Sequence, residues 1–97
     1  MAYKINYTKQ FEKDFSKLSK EIQKIIINKY LPVLEVNPQY GKRIKRKNLC
    51  LWRFKFRYKR NDYRIIYKLF NHKLLIVLIA VGSRENFYKN LKVKRLL

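Results

Sequence analysis

From Leu51 to Tyr58 the chain alternates without a break: Trp52, Phe54, Phe56 and Tyr58 fall on one parity, Arg53, Lys55 and Arg57 on the other. A period of two is the signature of a strand with two unlike faces. One face is made for a core, and the other is a row of cations spaced about 6.5–7 Å apart, close to the step between successive phosphates of a single strand. The row belongs to a wider concentration of charge, because residues 42–60 hold ten basic side chains and no acidic one. Like charges two apart on a strand face repel, and an anionic ligand recovers that cost.

The whole chain repeats this imbalance. Its 97 residues carry 25 Lys and Arg against 6 Asp and Glu, a formal net charge of +19, which is the balance of a polyanion binder. With 47% hydrophobic and 15% aromatic residues, it is too apolar for a disordered basic tail. The length suits one domain spanning residues 1–97 around a single core. A single cysteine, Cys50, excludes an internal disulfide, and a single histidine, His72, cannot complete a Cys/His metal cage with it. The carboxylates are scattered, without the pairing that a carboxylate dyad or a hard-metal site needs, so no metal or cofactor is expected. Met-Ala-Tyr-Lys leads into a short alternating segment rather than a long apolar stretch. No signal peptide or membrane span is therefore expected, and the cytosol is the expected compartment.

Tyr3, Ile5 and Tyr7 alternate as a short strand would. Thr8 is placed to cap a helix with the stripe Phe11, Phe15 and Leu18, and Ser19 a second with Ile22, Ile25, Ile26 and Tyr30. Leu34 lies one turn further on, Pro32 strains or ends that helix, and Pro38 and Gly41 close the connection. After the aromatic strand, Asn61-Asp62 reads as a turn, and Tyr63 to Phe70 as a returning strand with Arg64, Ile66 and Lys68 on one face. Leu74 to Val81 is almost wholly aliphatic, as in a strand covered on both sides, and Gly82-Ser83 ends it. Phe87, Leu91 and Arg95 suggest a last helix. The order β-α-α-β-β-β-α predicts an α+β fold: a small curved, mostly antiparallel four-stranded sheet, two N-terminal helices on one face and a C-terminal helix. The opposite face is expected to be partly open and basic, with Trp52, Phe54 and Phe56 in the core.

Chemistry on RNA requires no metal, because the 2′-hydroxyl is an internal nucleophile. It requires a base for the 2′-proton, cations for the charge that builds on phosphorus, and an acid for the departing 5′-oxygen. His72 falls in the turn between the third and fourth strands, at the wrong end of the sheet for the basic face. Catalysis would rest on Lys, Arg and Tyr, and a lysine serves as base only where neighbouring cations depress its pKa towards neutrality. Lys55, between Arg53 and Arg57 and facing Arg64, is the best placed.

Leu51-Trp52-Arg53-Phe54-Lys55-Phe56-Arg57, then Asp62-Tyr63-Arg64-Ile65-Ile66-Tyr67, then Val81-Gly82-Ser83-Arg84 with Phe87-Tyr88, resemble the RelE/ParE toxin superfamily. Tyr3-Lys4-Ile5, Phe15-Ser16-Lys17-Leu18 and Asn37-Pro38 also match, so the resemblance covers the whole chain. It implies the toxin of a type II toxin–antitoxin pair: a RelE-like, ribosome-dependent, metal-independent endoribonuclease that cuts mRNA in the A site. The implied partners are the ribosome with its rRNA and mRNA, and an acidic RelB-like antitoxin in a hetero-oligomer. By position, Lys55 falls on the general base, Arg84 on the acid, Arg53 and Arg64 on the transition-state stabilisers, and Tyr88 on the aromatic that orients or stacks on substrate. Arg53 stands where some members have Lys, which keeps the charge but not the capacity to act as a base. Arg46 matches an RNA-binding residue, and Lys45, Lys47 and Arg57 are further RNA-binding candidates. A ParE-like poison of DNA gyrase with the same fold, and a passive RNA-binding module, are the alternatives.

Overall fold

The computed structural model describes residues 2–46 and 49–83, with side chains for residues 2–44 and 51–83. The first strand, β1 (Lys4–Tyr7), ends at Thr8. The Thr8 hydroxyl accepts from the Phe11 N–H (3.1 Å) and so caps α1 (Lys9–Ser16). Ser19 caps α2 (Lys20–Ile25) in the same way, accepting from the Ile22 N–H at 3.3 Å. Both caps fall where the sequence placed them.

The helical path does not stop at Pro32. A π-helical turn, Ile26–Tyr30, widens the coil just before the proline, and α3 (Leu31–Val36) carries Pro32 in its first turn. Proline lacks an N–H and crowds the carbonyl four residues back, whereas a first-turn position needs no donor. Ile22, Ile26 and Leu34 consequently remain buried on one side.

Gly41 opens the segment that sequence reading left without structure. β2 (Lys42–Arg46) pairs antiparallel with β3 (Leu49–Tyr58), so the sheet has five strands rather than four. β2 is nearly all cationic and offers no apolar alternation to mark it. β3 and β4 (Asn61–Phe70) form a hairpin whose two-residue turn is Lys59-Arg60, both at positive φ (48° and 70°), not Asn61-Asp62. Cross-strand packing of the aromatic face sets that register against the turn preference of the local residues.

After the short helical turn Asn71–Lys73, which holds His72 at the far end of the sheet, β5 (Leu75–Ser83) completes the order β1-β5-β4-β3-β2. β1 pairs parallel with β5, and the other pairs are antiparallel. Where β1 stops, α1 takes over the edge of β5. The Thr8 hydroxyl donates to the Ile79 carbonyl (3.0 Å), and the Asp14 carboxylate accepts from the Val81 N–H (3.3 Å) while held by the Gln10 amide (2.8 Å). Backbone groups that an edge strand would leave exposed are thus satisfied. The C-terminal helix expected around Phe87–Arg95 lies outside the described residues.

The helices cover one face of the sheet. Phe11, Ile22, Ile26, Leu34, Phe54, Phe56, Ile65, Tyr67, Ile76, Leu78 and Val81 form the core there, with Trp52 packed against it. The opposite face, which the sequence predicts to be basic, is so only in part. Leu51, Ile66 and Ala80 form a second buried cluster there, flanked by Ile44 and Ile79. This face is therefore divided along the strand axis, apolar at Leu51 and cationic from Arg53 towards the hairpin turn.

A cationic cluster on the sheet as candidate active site

Strand register assembles the cluster. Lys55 stands directly opposite Arg64 across the β3–β4 pair, and Arg53 stands opposite Lys42 across β2–β3. Directly opposed Cβ atoms lie about 4.5–5.5 Å apart. Arg53 and Lys55 are two residues apart on one strand face, so Lys42, Arg53, Lys55 and Arg64 share one patch. On the far side of Arg64 the register partner is Gly82, which contributes no side chain.

Burial distinguishes the members. Arg64 is only 8% exposed, the one buried charged residue among those described, whereas Lys55 is exposed and Arg53 half-buried. The Nε atoms of Arg53 and Arg64 are both withdrawn from solvent. A cation held away from water attracts an anion more strongly than a solvated one, and its guanidinium plane is fixed by its surroundings. The cluster thus joins a fixed guanidinium to an exposed ammonium, an arrangement suited to holding a phosphate beside a mobile proton carrier.

The structure brings Arg53, Lys55 and Arg64, which the sequence groups on one face, into one patch. It missed Lys42, which only the pairing of β2 brings alongside Arg53. Arg57 stands opposite Asp62, an acidic cross-strand neighbour. Lys45 and Arg46 pair with Cys50 and Leu49, at the end of β2 remote from Lys42. Their side chains, and Lys47, Arg84 and Tyr88 altogether, lie outside the described residues.

The backbone beneath the patch is pinned from the helical side. The Tyr67 hydroxyl, in the core, donates to the Pro38 carbonyl at 2.5 Å. Burial pushes that hydroxyl from its ordinary value near 10 up to about 12, with the Gly41 backbone bonded to it pulling the other way. Gly41 passes so close that a Cβ there would lie 2.5 Å from the Arg53 carbonyl oxygen and 2.6 Å from the Tyr67 hydroxyl. Lys42 therefore emerges beside Arg53 from a fixed position.

The fold, a five-stranded mixed sheet with helices on one face, is that of solved RelE-type toxins. It matches the toxin–antitoxin complex RelBE2 from Mycobacterium tuberculosis with a TM-score of 0.76 at 20% identity, over 87% of this chain and 100% of that one, a likeness of fold. It matches an arginine-to-alanine double mutant of Escherichia coli toxin RelE in the free state with a TM-score of 0.74 at 25% identity, over the full length of both chains. In sequence, the mRNA interferase toxin RelE of Escherichia coli (strain K12) is 25% identical over 85 residues, 88% of this chain and 86% of that protein. Residues 5–92 match the family model of ParE-like toxins of type II bacterial toxin–antitoxin systems. The chain belongs to that family of type II toxins, and it is similar to RelE in sequence and fold. Among the described residues, no helix is long and apolar enough to cross a membrane.

Proposed function

We propose that this toxin is an endoribonuclease that cuts mRNA in the ribosomal A site. The 2′-oxygen attacks the adjacent phosphorus, the bond to the 5′-oxygen breaks, and a 2′,3′-cyclic phosphate and a free 5′-hydroxyl result. Lys55 accepts the 2′-proton, Arg53 and Arg64 hold the charge that develops on the phosphoryl oxygens, and Arg84 returns a proton to the leaving oxygen. Tyr88 orients the substrate, while Lys45, Arg46, Lys47 and Arg57 bind RNA further along the strand. The step balances without metal or cofactor.

The observation that carries this reading is the buried Arg64 set opposite the exposed Lys55, with Arg53 beside them. The Escherichia coli relative's designation as an mRNA interferase supports it. Solved toxin–antitoxin complexes of RelE-type toxins support an antitoxin as the partner here, in a hetero-oligomer, and the chain's net charge of +19 supports an acidic one; the proposed site of action is the cytosol.

Purified toxin added to mRNA-programmed ribosomes should yield fragments ending in 2′,3′-cyclic or 3′-phosphate, unaffected by EDTA. Lys55→Ala should abolish cutting while ribosome binding persists. Intact mRNA would overturn the proposal. The ParE-like family match favours gyrase poisoning as the second reading. That reading requires gyrase cleavage complexes to accumulate on DNA with ATP, and we expect none.

A further inference from the structure

Beside the cationic cluster lies a cleft that the proposed chemistry leaves unused. Because β2 begins at Lys42, opposite Arg53, the β3 residues 54–58 run on past its start and leave a notch at the sheet edge. The notch has a volume of about 240 Å³ and is lined by Tyr40, Gly41, Lys42, Arg53, Phe54 and Lys55. Three of these are members of the cluster. Tyr40, 64% exposed, is the wall's only large apolar side chain turned mainly to solvent.

Its position is unusually well held for an exposed side chain. The turn Pro38–Tyr40 is tied by the Tyr40 N–H to the Asn37 carbonyl (3.0 Å) and by the Tyr67 hydroxyl to the Pro38 carbonyl. Gly41 is wedged against β3 immediately after it. The ring rests on Phe54 at 5.7 Å between centroids, tilted by 38°, on the helix-covered side of β3, and the notch at the sheet edge joins it to the cations of the opposite face. A rigid aromatic that borders a cationic groove offers what a single-stranded nucleic acid needs, a flat surface for a base next to charges for its phosphate.

We propose that the notch is a nucleotide subsite in which Tyr40 stacks an unpaired RNA base while Lys42 holds that nucleotide's phosphate, one step along the strand from the phosphate at Arg53, Lys55 and Arg64. Lys42 stands directly opposite Arg53 across β2–β3 and so flanks the phosphate that Arg53 and Arg64 hold. This subsite rests on the ribonuclease reading and deepens it: Tyr40 positions the substrate and takes no part in proton transfer. Stacking tolerates every base but rewards the larger purine surface, so the subsite would favour a purine.

The test uses the full-length toxin and two fluorescein-labelled hexaribonucleotides, 2′-O-methylated against cleavage and identical in charge. One carries adenine at a central position, and the other is abasic there. Wild-type toxin should bind the adenine probe about tenfold more tightly than the abasic one by anisotropy titration. Tyr40→Leu, which keeps an apolar contact with Phe54, should bind both probes equally at the weaker level, and Tyr40→Phe should behave as wild type. An unchanged thermal midpoint would confirm that the Leu variant folds. If wild-type toxin binds RNA but does not distinguish the probes, or if Tyr40→Leu still distinguishes them, the subsite is overturned and the ribonuclease reading stands. If wild-type toxin binds neither probe, the subsite is overturned, and the ribonuclease reading falls with it only if ribosome-bound mRNA also stays intact.

Discussion

Arg64 is a buried cation opposite the exposed Lys55, on a sheet face whose other half is apolar. Arg64→Ala should lower ribosome-dependent cleavage by about 10²-fold or more, in kcat rather than KM, if its guanidinium meets charge that develops only in the transition state. Arg64→Lys should recover only part of the loss, since an ammonium lacks the planar fork. A measured loss of thermal stability without the kinetic effect would reduce Arg64 to a structural role. Tyr67 makes an independent prediction. Its hydroxyl binds more protons folded than unfolded between pH 10 and about 12, so stability should be intact below pH 10 and fall by up to about 1.4 kcal/mol per pH unit across that window. Tyr67→Phe should remove this alkaline limb and cost about 1–3 kcal/mol at neutral pH, because the Pro38 carbonyl is left buried without its donor. Denaturant titrations at several pH values would measure both. At this scale the strand period alone placed Lys55 and Arg64, whereas the restraint on Tyr67 depends on a residue 29 positions away and has no local signature.

At the scale of elements, the two least legible features are both junctions. The hairpin turn holds Lys59 and Arg60 in the left-handed region, which costs non-glycine residues about 1–2 kcal/mol each. Replacing the pair by Asn-Gly, the residues that this turn geometry favours, should raise stability by about 1 kcal/mol without affecting cleavage. A chemical-denaturation midpoint that fell instead would mean the turn differs in type. Gly41 is required for a different reason: its backbone lies against β3, and its φ of −76° is open to any residue. Gly41→Ala should destabilise by about 1–3 kcal/mol, and because its Cβ would displace the Arg53 backbone, cleavage should fall as well. Equal activity per folded molecule would uncouple the connection from the site. The helix caps were legible because Thr8 and Ser19 act on residues three positions ahead. β2 was not, because an edge strand of cations is specified by its partner β3 rather than by its own pattern.

For the whole molecule, a net charge of +19 sets two salt dependences of opposite sign. Self-repulsion weakens as ionic strength screens it, so the free toxin's thermal midpoint should rise with salt. RNA affinity should fall, with a logarithmic slope of about −0.7 for each phosphate contacted on a single strand. Calorimetric scans and binding titrations over one salt series would test both. If the thermal midpoint were flat, the charge would already be locally compensated. An acidic antitoxin would act in the direction of salt on stability while competing with RNA for the same face.

Composition, charge and the two periodicities determined by themselves that this chain is a basic α+β protein, which side chains enter its core and which cations share a strand face. Those properties are local, set by one to four residues along the chain. The tertiary structure alone decided that Lys42 joins Arg53, that the sheet's second face is half apolar, and that Tyr40 borders the site. Each depends on register between segments far apart in sequence, where a contact is chosen by the packing of the whole core and leaves no mark on its neighbours in the chain.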